Sequence, residues 1–202
     1  MGEDFYDLVD GLRAIENVLE SLEWKKPNRL AHVLVLMTDA KSYYEMKHYT
    51  MAMPRKILEE NLEWVCNHAP GGMDVSNFTL KEVDGNIVIF KADRKIVKIV
   101  KYNQKRILKM IKDKKIPIET CPTSNLRIGY FDKYSELPTC SLLKDSKAVG
   151  TINTNAPGLL ATSLENEYSL ISLALKKDLR KSDDKILKIM KKLMQNARNS
   201  SF

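Results

Sequence analysis

The sequence predicts an α/β fold built from βα repeats, in which helices alternate with buried strands. Small and β-branched residues from 148 to 152 indicate a short strand, the turn formers at 153–158 follow it, and a helix begins near Ser163. Nearer the start, an amphipathic helix precedes the apolar run 30–37, which is typical of a parallel strand covered on both faces. Polar side chains therefore follow a buried strand, at the end where α/β barrels carry out their chemistry.

Composition favours a single globular domain over residues 1–202, because a chain of this length with 44% apolar residues can bury a core. No apolar run approaches the roughly 20 residues of a membrane span, and the first residues lack the pattern of a signal peptide. We therefore expect a cytoplasmic protein without a membrane partner. The formal charge of +7 comes largely from lysine-rich segments, in which aromatic residues do not interleave. Solvated helix faces explain these segments better than a nucleic-acid-binding surface, which stays an alternative.

The first half of the chain contains two predicted helices and a hairpin. Apolar residues at spacings of three and four predict a helix from Phe5 to Leu22 and another over 54–67, which Pro54 can initiate. The turn formers Asp84, Gly85 and Asn86 lie between β-prone residues and predict a hairpin over 78–90. We expect an insertion over about residues 70–115.

The second half contains two predicted strands and three predicted helices. Asp93 can cap a long basic helix that runs to Lys112, and residues 116–120 are typical of a strand. The strand at 148–152 and the helix after Ser163 follow, and Ser182 can cap a final basic helix.

Three motif groups occur in a fixed order along the chain. They are Gly2-Glu3 with Arg29-Leu30-Ala31-His32, then Glu119-Thr120-Cys121-Pro122-Thr123-Ser124-Asn125, then Asn153-Thr154-Asn155-Ala156-Pro157 with Glu165-Asn166-Glu167-Tyr168. In this order they resemble strands five to eight of the adenosine deaminase family. Residues 54–64 are more similar to the bacterial phage-defence members. The resemblance implies a partial TIM-type (β/α) barrel, roughly its C-terminal half, with an inserted hairpin and an extra C-terminal helix.

The resemblance also assigns roles to single residues. Glu3 occupies the position of the glutamate that protonates the purine ring, and His32 that of the histidine that orients the attacking water. Asn155 and Ala156 occupy the positions of two aspartates, of which the first binds the catalytic metal and the second holds the purine. Taken singly, His32 would be read as a core histidine and Glu3 as a first-turn acid. Their joint spacing with the later motifs favours the catalytic positions.

The motif around Cys121 implies three supporting residues. In the family it closes the seventh strand, and its polar side chains brace the site; here these are Glu119, Ser124 and Asn125. Cys121 itself has no evident local base, and the family uses no thiol, so we do not expect it to be a nucleophile.

The family hydrolyses adenosine or a related nucleotide at C6 with a divalent metal, zinc, that lowers the pKa of its water. We expect the chain to lack the first four strands and their metal-binding histidines, and an amide at Asn155 is a poor substitute for a carboxylate on zinc. The sequence therefore predicts that this chain alone binds no zinc and deaminates no purine nucleoside or nucleotide. Two alternatives stay open: an interaction module that pairs with a second copy or with the missing N-terminal half, and a basic nucleic-acid binder.

Overall fold

A computed structural model of the protein describes residues 5–24, 28–72, 79–84, 86–143 and 148–200. Within these ranges the helices are α1 Leu8–Ser21, α2 Ala40–Met46, α3 Arg55–His68, α4 Lys95–Asp113, α5 Pro122–Ile128, α6 Pro138–Leu142, α7 Pro157–Leu160, α8 Leu164–Lys177 and α9 Asp183–Asn199. The strands are β1 Leu30–Ala31, β2 Thr50–Pro54, β3 Thr79–Asp84, β4 Ile87–Lys91, β5 Ile118–Thr120 and β6 Gly150–Ile152. Short 3-10 turns occur at Leu34–Leu36, Pro70–Gly72 and Tyr134–Glu136.

The strands form two separate sheets. β1, β5 and β6 are parallel and lie in the order β1-β5-β6, whereas β2, β4 and β3 are antiparallel and lie in the order β2-β4-β3. In the parallel sheet Leu30 lies opposite Ile118, which lies opposite Gly150. The prediction of an α/β fold containing part of a (β/α) barrel, an inserted hairpin and a C-terminal helix is confirmed.

Helices cover one face of the parallel sheet. Leu30 and Ile118 are buried in the larger apolar cluster with α1, α3 and α4, and Ile152 is buried in a second cluster with α6, α8 and α9. Because side chains alternate along a strand, Ala31, Glu119 and Thr151 belong to the opposite face. Within the described ranges, no helix is long and apolar enough to cross a membrane.

The first parallel strand is shorter than the apolar run 30–37 predicts. β1 ends at Ala31, and His32 and Val33 then adopt left-handed backbone conformations with φ of 66° and 48°. The strand prediction is therefore wrong beyond Ala31. The next three residues, Leu34–Leu36, are apolar because they form a buried 3-10 turn instead of continuing the strand.

The left-handed turn is held by contacts from two helices. The amide of Gln104, on α4, donates to the carbonyl oxygens of Val35 and Thr38, both at 2.8 Å. Gly11, on α1, permits a close approach, because a Cβ there would lie 3.0 Å from a methyl of Val35. A β-branched residue such as Val33 rarely adopts positive φ, so the surrounding packing must compensate for the strain.

The predicted helices and the hairpin are present, and the short helices α2, α5, α6 and α7 were not predicted. The hairpin is β3–β4, although Phe78 and Gly85 lie outside the described residues, and β2 adds a third strand that was not predicted. Asp93 accepts a hydrogen bond from the backbone N–H of Lys95 at 2.9 Å, as predicted. Ser182 precedes α9, but its side chain makes no capping hydrogen bond, so that detail of the prediction is wrong.

A buried carboxylate joins α1, α3 and α4. Glu16 is 3% exposed and accepts hydrogen bonds at Oε2 from Trp64 Nε1, at 2.7 Å, and from Arg106 Nη2, at 2.8 Å. Arg106 Nη1 donates to Oε1, and His68 Nε2 lies 3.6 Å from Oε2. Burial acts to raise the pKa of Glu16, but the hydrogen bonds from Arg106 and Trp64 outweigh it and hold the pKa below its ordinary value. The network fixes α3 and α4 onto the helix that leads into β1.

Removing the arginine from this network should destabilise the fold. We expect Arg106→Met to lower the free energy of unfolding by about 3 kcal/mol, because it leaves a buried carboxylate without its cation. The matched control is Lys109→Met, on the exposed face of α4, where the ion pair with Asp113 is worth about 0.5 kcal/mol or less. Urea unfolding of both variants and the wild type measures the difference. Equal losses in the two variants would contradict the assigned role of Glu16.

A second buried carboxylate caps the start of α1. Asp7 is 1% exposed, and its Oδ2 accepts hydrogen bonds from the Tyr44 hydroxyl at 3.0 Å and the Val9 N–H at 3.4 Å. Its Oδ1 has no hydrogen-bond partner within the described part of the chain. Burial raises the pKa of Asp7 to about 6, against the lowering effect of the Tyr44 hydrogen bond.

The raised pKa predicts a pH-dependent stability. Between about pH 4 and pH 6 the folded protein keeps the Asp7 proton while the unfolded chain releases it, so stability falls as pH rises through this range. Asp7→Asn keeps a capping side chain without a charge. We expect it to gain up to about 3 kcal/mol relative to wild type between pH 4 and pH 7.5, at about 1.4 kcal/mol per pKa unit. Urea unfolding across this range measures the gain, and a difference that does not change with pH would refute it.

Candidate active site at the carboxyl ends of the parallel strands

The polar motifs of the sequence meet at one edge of the parallel sheet. His32 follows β1, the segment 121–125 follows β5, and the segment 153–156 follows β6. Since the three strands are parallel, their carboxyl ends lie side by side. The backbone N–H of His32 continues the pairing, because it donates to the carbonyl oxygen of Glu119 at 2.7 Å.

The imidazole of His32 is held by a buried amide. His32 is 6% exposed, and its Nδ1 lies 2.9 Å from Nδ2 of Asn125, which is fully buried. The other end of this amide is also fixed, since Oδ1 of Asn125 accepts the backbone N–H of Cys121 at 3.0 Å. Cys121 directly precedes α5, so the geometry of β5 and its following helix positions the amide.

This arrangement determines where the proton of a neutral His32 lies. Oδ1 of Asn125 faces a backbone donor, so the amide presents its NH₂ group to the ring. Nδ1 of His32 therefore accepts a hydrogen bond, and the ring proton is on Nε2. In this tautomer Nε2 is the hydrogen-bond donor of the His32 ring.

A second amide lies at the end of β6. Asn155 has a left-handed backbone, with φ of 60°, which asparagine tolerates better than most residues. Its Nδ2 donates to Oγ of Ser124 at 3.0 Å. Oδ1 is then the remaining polar atom of the Asn155 side chain, and it is neutral. Ala156 follows with a methyl group that can neither coordinate a cation nor accept a hydrogen bond.

The carboxylate of Glu119 is engaged by an arginine. Its Oε2 lies 3.0 Å from Nη1 of Arg29, and both side chains are mostly buried. The pair lies beside the sheet face that also carries Ala31 and Thr151, opposite the face that the helices cover. Charge neutralisation by Arg29 explains how an acid is accommodated there.

Glu167 belongs to the third motif group, but the resemblance assigns it no role. Glu167, on α8, is fully buried; its Oε2 accepts the backbone N–H of Thr123 at 2.8 Å, and its Oε1 accepts the hydroxyl of Thr162 at 2.6 Å. It therefore satisfies a free N–H at the start of α5, next to Ser124 and Asn125. The sequence signal that could have identified Glu167 is the presence of a glutamate on the buried side of an amphipathic helix.

The structure brings four of the seven predicted site residues into two hydrogen-bonded pairs, His32 with Asn125 and Ser124 with Asn155. Glu119 joins them through its backbone, and Ala156 follows Asn155 in the chain. Glu3 lies outside the described residues. The roles assigned to all seven residues from the resemblance stay predictions.

The donor chemistry of the strand ends does not suit zinc. Structural and catalytic zinc sites use thiolates, imidazoles and carboxylates. Here Asn155, which the resemblance places at the metal-aspartate position, is an amide whose nitrogen faces Ser124, and Nδ1 of His32 faces Asn125. Over the ranges that the structure describes, no group of three or more His, Cys, Asp or Glu side chains could hold a metal ion.

Comparison with known proteins identifies a family. The sequence profile of the adenosine deaminase family matches residues 77–202. An adenosine deaminase of Clostridium botulinum (strain Hall) is 39% identical over 64 residues, which are 32% of this chain and 19% of the relative. Adenosine deaminase 1 of Streptomyces coelicolor is 38% identical over 63 residues, which are 31% of this chain and 16% of the relative. The matched segments thus span about a fifth or less of these curated relatives.

The tautomer of His32 can be tested directly. Two-dimensional ¹⁵N–¹H NMR of the histidine side chains should show the His32 ring proton on Nε2, with His48 and His68 as references in the same spectrum. In Asn125→Asp, both oxygens can only accept hydrogen bonds, so the proton should appear on Nδ1. Asn199→Asp, on the exposed side of α9, makes the same change in charge and should leave the His32 signals unchanged. A proton on Nδ1 of His32 in the wild type would contradict the assignment.

Proposed function

The chain belongs to the adenosine deaminase family, and from that membership we propose that its strand ends form one side of a purine-deaminase site. We further propose that the chain by itself does not deaminate adenosine. The observation that carries this proposal is the pair of residues after β6, where Asn155 and Ala156 stand in place of the family's two aspartates. The ligand class we propose is the family's, a purine nucleoside or nucleotide.

His32 is the residue with the clearest chemical capacity. Asn125 holds its ring with the proton on Nε2, and its position in the motif suggests that it orients polar groups at the strand ends. Glu3 is proposed to protonate the purine ring, as its position in the motif suggests. Glu119, Ser124 and Asn125 are proposed to brace these groups.

The metal chemistry of the family does not fit the described residues. In the family a divalent zinc ion supplies hydroxide by lowering the pKa of bound water. At the strand ends described here, the amide of Asn155 occupies the position where the resemblance implies an anionic ligand, and its N–H group points towards Ser124. We therefore propose that zinc is not retained by this chain alone, and we derive no catalytic step through it.

A second candidate function is a non-catalytic interaction module. It is favoured by the order β1-β5-β6 of the parallel sheet, in which β1 and β6 each have a strand neighbour on one side only within the described residues. A second copy or a protein that carries the remaining strands of a barrel could pair there. Residues 54–64 are similar to the bacterial phage-defence deaminases. That the module acts in a system of that kind stays a prediction.

The proposal predicts no conversion of adenosine to inosine by the purified chain, with or without added zinc. Chromatographic separation of adenosine and inosine over a zinc titration measures this, and the Clostridium botulinum adenosine deaminase, assayed in parallel, is the positive control. Zinc-dependent inosine formation that His32→Ala abolishes would refute the proposal. Activity that His32→Ala does not change would instead reveal a contaminating enzyme.

A further inference from the structure

A groove opens between α6, α8 and α9, and we refer to it as the α6–α8–α9 groove. Its volume is about 470 Å³. This volume lies within the range of roughly 300–1,000 Å³ that is typical of small-molecule sites. The residues that line the groove are of two kinds, apolar residues and lysines, and no acidic residue is among those that the structure describes there.

Apolar side chains form the inner surface of the groove. Leu143, Leu179 and Ile189 are half-buried and pack against the second apolar cluster, so each leaves part of its surface uncovered. The groove also reaches Leu175, which is 1% exposed, and the buried thiol of Cys140. Because it reaches the core between the helices, the groove suits a slender apolar chain better than the broad face of another helix.

Three exposed lysines line the same groove. Lys185 and Lys188 are three positions apart on α9, so they project from one face of that helix. Lys181 precedes α9, and its backbone N–H donates to the carbonyl oxygen of Leu175 at 2.9 Å, which ties its position to the end of α8. Lysine stems are apolar and their ammonium groups stay in water, so these side chains extend the wall and place positive charge at the rim.

The positive charge at the rim is not neutralised from nearby. Asp183, in the first turn of α9, is paired with Lys176 at 2.9 Å and does not line the groove. Among the described residues, no acid forms an ion pair with Lys181, Lys185 or Lys188. A cleft lined by charges of one sign concentrates its field on the opposite sign, so an anion is attracted to this rim.

We propose that the α6–α8–α9 groove binds a free long-chain fatty carboxylate. The apolar chain lies against Leu179 and Ile189, and the carboxylate lies among the ammonium groups of the three lysines. Charge complementarity selects the anionic head group, and the apolar depth of the groove selects the slender tail. The proposal is independent of the proposed deaminase site, because neither His32 nor Asn155 lines the groove.

The ligand test is calorimetric titration of the purified wild-type chain with dodecanoate below its micelle concentration. We expect saturable binding of one molecule per chain. Dodecanol has the same tail without the charge, and acetate has the charge without the tail. Because the groove contributes to binding at both ends of the ligand, we expect each of them to bind at least about tenfold more weakly than dodecanoate.

The site test uses two double variants with the same change in charge. We expect Lys185→Gln with Lys188→Gln to raise the Kd for dodecanoate by about tenfold, because two exposed ion pairs with the ligand are lost. The control, Lys98→Gln with Lys105→Gln on the exposed face of α4, should leave it within about twofold, because salt screens distant charges. Ile189→Trp fills the groove and should abolish binding, and urea unfolding checks that each variant is folded.

Four results would overturn the proposal. Absence of saturable dodecanoate binding would overturn it outright. Dodecanol binding as tightly as dodecanoate, or equal losses in the two double variants, would remove the role of the lysines. Unchanged binding by folded Ile189→Trp would place the ligand elsewhere on the chain. Binding to phosphatidylglycerol vesicles without binding of free dodecanoate would make a membrane surface, and not a free carboxylate, the partner of these lysines.

Discussion

Two amide side chains decide what the carboxyl ends of the parallel strands can hold. Asn125 uses its nitrogen on His32 and its oxygen on the backbone of Cys121, and Asn155 uses its nitrogen on Ser124. Both amides act as hydrogen-bond donors within the protein, and Asn155 does so at the position where the resemblance implies an anionic metal ligand. Neutral hydrogen bonds therefore fix His32 and Asn155. In a family whose reaction uses zinc, this chemistry is the reason for our proposal that the chain by itself does not carry out that reaction.

The position of these amides depends on packing some distance away. His32 lies in a left-handed turn that Gln104 holds from α4, and α4 is in turn fixed to α1 by the carboxylate of Glu16. At the other end of the sheet, α9 covers β6 through Asn196. The helices thus bury one face of a short sheet, and α9 also lies against the edge of β6.

Most of the fold and part of the site could be predicted from the sequence. Hydrophobic periodicity located α1, α3, α4 and α9 because an amphipathic helix repeats its pattern over many residues. It failed at residues 32–37, since a buried 3-10 turn and a buried strand are both continuous apolar runs. β2 was missed because its pairing with β4 is a long-range contact. Motif spacing indicated that His32, Asn125, Ser124 and Asn155 come together. The directions of their hydrogen bonds, and the hydrogen bonds from Gln104 to the turn after His32, depend on the three-dimensional structure and could not be predicted.

We propose that the donor set beside His32 does not retain zinc. The most direct measurement is equilibrium dialysis of the purified chain against zinc, followed by metal analysis, with His32→Ala and Asn155→Asp as companions. We expect wild type and His32→Ala to retain the same substoichiometric amount of zinc. One equivalent of zinc held by the wild type and lost in His32→Ala would contradict it.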